Sequence, residues 1–73
     1  LNTSDVGKVY ECVVESLQEE RDGQYFYMGR TYFMAPEIDG NILIISNEEL
    51  PIGSFCEVKV TNALEYDLIG EKL

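Results

Sequence analysis

Histidine is absent from this 73-residue chain, and lysine and arginine together number only five. Those cations, Lys8, Arg21, Arg30, Lys59 and Lys72, are scattered, while fourteen acidic residues set a net charge of −9. Such a surface repels polyphosphate unless its cations are gathered, so nucleic acid is a poor match. Cysteine is limited to Cys12 and Cys56, and two thiols without histidine cannot assemble the usual structural zinc set. No metal site is therefore expected. A cytosolic chain keeps such thiols reduced, and both fall at inward positions of their strands, where free cysteine packs as a small hydrophobe. No apolar run approaches a membrane span, and no basic segment leads into an apolar one as in a secretory signal. A cytoplasmic protein without membrane contact is expected.

Proline is also scarce, at two residues, and 45% of the chain is hydrophobic, which argues for a folded domain over a disordered one. Residues 1–73 allow one small domain. A chain this size buries only about 60% of its unfolded surface, enough to hold a fold but not to build a deep catalytic cleft. The chain starts with Leu1 and reads as a domain excised from a larger protein.

The remaining pattern is strands separated by turns. In residues 6–16, Tyr10, Cys12 and Val14 fall on one face and Glu11 and Glu15 on the other. Val9 and Val13 sit among those acids, as on a strand that other elements overlap. Asp22-Gly23 is a hairpin dipeptide, although residues 17–23 read as longer than a two-residue loop. Residues 24–32, dense in aromatics, read as a second strand, and 42–45 as a third, apolar enough for burial on both faces. Pro51-Ile52-Gly53-Ser54 reads as a type I turn feeding a fourth strand at 55–61. A fifth runs from Tyr66 to about Glu71. A helical reading of residues 9–20 is the main rival, but β-branched content and alternation weigh against it. These features predict an all-β fold, a small five-stranded antiparallel barrel of the OB type.

Aromatic Tyr25, Phe26, Tyr27, Tyr32 and Phe33 could stack bases, as OB-type sheets do. With only Arg30 beside them to take phosphates, the preferred assignment puts Phe26 and Met28 inside, and Tyr25 and Tyr27 in cross-strand contacts outside. The acids gather as Glu19-Glu20-Asp22, Glu37/Asp39, Glu48-Glu49 and Glu65/Asp67. Solubility accounts for them, and so does a basic protein partner. Calcium and acid–base chemistry at Glu37 and Asp39 are weak readings, because no third acid at calcium-loop spacing and no nucleophile stands nearby.

The most specific string is Gly29 to Gly40, Gly-Arg-Thr-Tyr-Phe-Met-Ala-Pro-Glu-Ile-Asp-Gly. Pro36 removes a ladder donor and Gly40 tolerates positive φ, so the string describes a structured loop between strands. With Glu65-Tyr66-Asp67-Leu68-Ile69-Gly70 near the end, it resembles the C-terminal TRAM domain of the radical-SAM methylthiotransferases. It looks most like the RimO-type branch, which modifies an aspartate of a small-subunit ribosomal protein. The resemblance spans roughly residues 6–71 and departs from the family at Met34, before the Ala-Pro pair, where an acid is common.

The resemblance implies an accessory domain, without catalytic residues, of a transferase. The whole enzyme would use S-adenosylmethionine and two iron–sulfur clusters held elsewhere, since this chain lacks a cysteine triplet. The expected partners are a basic ribosomal protein, bound at Glu37, Asp39, Glu65 and Asp67, and the enzyme's own radical-SAM domain, touched at Phe33 and Met34. Arg30, Pro36 and Gly40 would pin the loop, with Arg30 forking to Glu37 or Asp39. A monomer is expected. The rival readings are the RNA-gripping TRAM domain of a transfer-RNA methylthiotransferase, which a lysine-rich face would mark, and a purely structural lid on the catalytic domain.

Overall fold

A computed structural model describes residues 6–32, 41–63 and 68–73. Five strands carry the fold: β1 (Val9–Arg21), β2 (Gln24–Thr31), β3 (Asn41–Ser46), β4 (Phe55–Ala63) and β5 (Leu68–Lys72). No helix occurs among the described residues, so the helical reading of residues 9–20 gives way to strand. The strands hydrogen-bond in the closed order β1-β2-β3-β5-β4.

One expectation is corrected here. The ring is mixed, because β3 and β5 run parallel, with Ile42 opposite Leu68 and Ile44 opposite Gly70. The other four pairings are antiparallel. The reason is geometric: five strands cannot alternate direction all the way round a closed ring, so one neighbouring pair must share a direction.

β1 is also longer than its alternation suggested. It continues to Arg21, which pairs with Gln24, so Asp22 and Gly23 alone make the turn. Both have positive φ, 55° and 80°, the conformation of a two-residue hairpin turn matched to strand twist. Register shifts at Val14/Ser16 and Leu17/Glu19 insert Glu15 and Gln18 as extra residues. Such bulges bend a strand and break its two-residue period, which is why residues 17–21 do not look like strand in the sequence. At Pro51–Ser54 the turn closes through Ser54 N–H donating to the Pro51 carbonyl at 3.2 Å. Gly53 there has φ 89°, which makes it type II rather than type I.

The core consists of Cys12, Val14, Tyr27, Ile42, Ile44, Leu50, Val58, Val60 and Leu68, with Tyr10, Tyr25, Cys56 and Ala63 packed against it. The aromatic assignment is reversed. Tyr27 is buried and Tyr25 stacks beside it with ring centroids 6.3 Å apart. Phe26 and Met28 face outward, opposite Ile45 and Leu43 of β3. The phenol decides this phase, because the Tyr27 hydroxyl accepts a hydrogen bond from the Leu50 N–H at 2.8 Å, satisfying two polar groups that burial would otherwise penalise. Gly29 follows in the same inward phase. A Cβ there would lie 2.5 Å from the Val13 carbonyl oxygen and 2.7 Å from Ile44 Cδ1, so the barrel closes only around glycine.

Candidate protein-interaction surface

Eight of the residues singled out in the sequence, Glu37, Asp39, Glu65, Asp67, Pro36, Gly40, Phe33 and Met34, lie outside the described residues. The frame around them is described. Asn41 pairs with Arg30 across β2 and β3, and Ile42 lies opposite Leu68, the first residue of β5. The starts of β3 and β5 are therefore neighbours. Arg30 is exposed, and its Nε lies 3.3 Å from Glu15 Oε2, a carboxylate of the β1 bulge. Both side chains are about half exposed, so this pair contributes little stability.

The outer surface divides into two faces of different chemistry. Over the middle of β2, β3 and β5 the outward residues are apolar, with Phe26 opposite Ile45, Met28 opposite Leu43, and Leu43 opposite Ile69, while Arg30, Asn41 and Glu71 make its border polar. The apolar side chains are half-buried. Strands two and three form the oligonucleotide face of an OB fold, yet among the described residues Phe26 is the one outward aromatic of β2 and β3, flanked by aliphatic side chains.

Over β1 and β4 the outward pairs are Val9 with Lys59, Glu11 with Glu57, and Val13 with Phe55. Tyr32 joins the edge of this face, its ring edge-on to Phe55 with centroids 5.2 Å apart and an interplanar angle of 85°. Sequence reasoning placed Glu11 and Glu57 on outward faces but could not tell that they oppose each other, because no local pattern carries cross-strand register over 46 positions. It likewise gave Phe55 no role, since the first residue of a strand looks like any other apolar residue.

A third region, at the hairpin end, is acidic. Arg21 pairs with Glu19, and Lys72 Nζ approaches Glu48 Oε2 at 3.6 Å. The Tyr25 phenol titrates above its ordinary range, chiefly because of the charge on Glu20, then through partial burial and Glu49.

Cys12 and Cys56 face each other directly across β1 and β4. Burial first, then Cys56 and Glu11, push the Cys12 thiol up to about 12. Burial also raises Cys56, with Lys72 opposing the shift. Thiols held protonated in this way are poor nucleophiles and poor ligands. Among the described residues no group of three His, Cys, Asp or Glu could hold a metal ion, and no helix is long and apolar enough to cross a membrane.

Comparison with known proteins supplies a family. The TRAM domain family matches residues 6–73. The ribosomal protein uS12 methylthiotransferases RimO of Clostridium botulinum, Clostridium acetobutylicum and Acetivibrio thermocellus are 47%, 49% and 51% identical to the chain over 70 residues. Each alignment covers 96% of this chain but 15% of the relative, so the chain spans a small part of the proteins it matches. A match along nearly the whole chain, on a closed five-stranded barrel, places this protein in the TRAM domain family.

Proposed function

We propose that this chain is the substrate-recruiting TRAM domain of a RimO-like methylthiotransferase, binding a basic small-subunit ribosomal protein through acidic surface. The observation that carries the reading is the 47–51% identity, along 96% of the chain, to enzymes named for ribosomal protein uS12. The net charge of −9 supports a basic partner, since complementary potentials speed encounter and select partners. The apolar outer face of β2 and β3 supports protein over nucleic acid, because single-strand binding needs stacking rings beside cations.

In this reading Glu37, Asp39, Glu65 and Asp67 contribute to the acidic surface. Phe33 and Met34 rest against the enzyme's radical-SAM domain, and Arg30, Pro36 and Gly40 hold the loop. The whole enzyme, a cytoplasmic transferase, would use S-adenosylmethionine and two iron–sulfur clusters. The donor set here does not fit a cysteine-ligated cluster: there are two thiols, and Cys12 is fully buried. This domain's own contribution is to raise the local concentration of substrate.

Titrating the chain with uS12 and with transfer RNA at physiological salt tests the reading. The expected result is uS12 binding that weakens as salt rises past a few tenths molar, with transfer RNA bound far more weakly. Tight transfer-RNA binding with no uS12 binding would replace this function by the RNA-gripping one.

A further inference from the structure

We propose that the outer face of β1 and β4 is the docking surface for an arginine-bearing, apolar-flanked segment of the basic protein partner. The surface consists of Val9, Glu11, Val13, Phe55 and Glu57, with Tyr32 at its edge. The inference rests on the protein-recruitment reading above and adds a sheet face to the acids of that reading.

The first observation is electrostatic. Glu11 and Glu57 are directly opposite and both exposed. The Glu11 carbonyl accepts the Tyr32 N–H at 2.7 Å, so its backbone groups point toward β2. Toward β4 it therefore sits in a non-hydrogen-bonded pair, the closer kind, with Cα atoms about 4.5 Å apart. Like charges directly opposite in this position destabilise a sheet. Among the described residues neither carboxylate has an ion-pair partner. Lys59, the next outward residue of β4, lies opposite Val9 on one side and Glu71 on the other. The fold gains nothing from this arrangement, whereas a cation from outside would meet two carboxylates at once.

The second observation is exposed apolar surface around the pair. Phe55 and Tyr32 are each 54% exposed and Val9 is 47% exposed, although the two rings already hold each other in an edge-to-face contact. Preassembled aromatic side chains lose little entropy on binding and anchor interfaces. Along β1 the stripe from Val9 to Val13 is about 13 Å long, the length of a few extended residues.

Together these features select the occupant. A guanidinium presents a planar fork to two carboxylates and packs its face on an aromatic ring. Apolar neighbours of that arginine would cover Val9, Val13 and Phe55. A phosphate backbone would be repelled by the same carboxylates.

The test is titration of the isotope-labelled chain with uS12, reading amide shifts, and comparison with E11Q/E57Q and Phe55→Ser variants. Shifts should concentrate at residues 9–13, 32 and 55–59. The double variant should bind roughly tenfold more weakly, yet melt at the same temperature as the parent or higher, because it removes a repulsion. Phe55→Ser should also weaken binding. Equal binding by both variants, or shifts confined to other faces, would overturn the docking surface and leave the recruitment function standing. A marked loss of thermal stability in E11Q/E57Q would make the carboxylates structural and overturn it too. Absence of uS12 binding by the parent chain would remove both.

Discussion

The two halves of β1 have the same ladder chemistry and opposite fates. From Val9 to Val14 the strand is paired on both sides, with β4 from Val9 and with β2 from Cys12, and it places Cys12 and Val14 in the core. From Glu15 to Arg21 it pairs with β2 alone, carries both bulges and is exposed throughout. Backbone hydrogen bonding is present in each half, so it cannot be what makes one half core and the other an arm. Ring closure does that, by giving a strand a second neighbour and an enclosed face. A two-stranded ribbon is marginal in water, so the arm depends on the barrel for its order. It also carries Glu19, Glu20 and Asp22 away from the core, where charge costs least.

The strongest way to break this contrast is at Tyr27, which pairs with Leu17 of the arm while its own side chain lies in the core. Tyr27→Ala should lose about 3–5 kcal/mol through the cavity and also leave the Leu50 N–H without its partner. Denaturant unfolding measures this, and a loss below 1 kcal/mol would mean the core does not depend on that ring.

A smaller effect, confined to the paired half, should appear on alkaline titration. The Cys12 pKa rises from 9.0 to about 12 in the folded state, so between those values the unfolded chain has released a proton that the native chain retains. Stability is thus fully present below pH 9 and is lost as pH rises toward 12, at up to about 1.4 kcal/mol per pH unit for one group. Cys12→Ala should remove that component. Melting curves of both proteins between pH 8 and 11 should converge as pH rises, and parallel curves would contradict the assignment.

The arm should barely respond. Arg21→Ala deletes an exposed ion pair with Glu19, and such pairs contribute at most about 1 kcal/mol. A change within about 0.5 kcal/mol is expected by denaturant unfolding, and a larger one would show that the arm is structurally coupled to the barrel.

The same division explains what could be read from the chain. Val9 to Val14 alternates with period two, and that half of β1 was legible as strand with its inward face correctly assigned. The turn at Asp22-Gly23 was visible as a dipeptide, but its two-residue length was hidden, because the bulges at Glu15 and Gln18 break the alternation leading into it. In β2 residues 25–28 put an aromatic or large side chain on both faces, so hydrophobicity could not choose the phase. The phenol bond from Tyr27 to Leu50, 23 positions apart, chose it. For the binding surface, the acidic excess and the two motif strings were plain in the sequence, while the facing of Glu11 and Glu57 was not.

Composition, alternation and turn dipeptides were enough to specify an all-β domain, the approximate place of its five strands and, through two short strings, its TRAM family. All of these are properties of neighbouring residues, carried by side-chain size, φ preference and polarity. The parallel β3–β5 pair, the inward phase of Tyr27 and Gly29, the opposed thiols and the opposed carboxylates come from somewhere else. They arise when strands far apart in the chain close into one ring of odd number, and the register of that closure is set by packing around the enclosed face, to which no single segment holds the key.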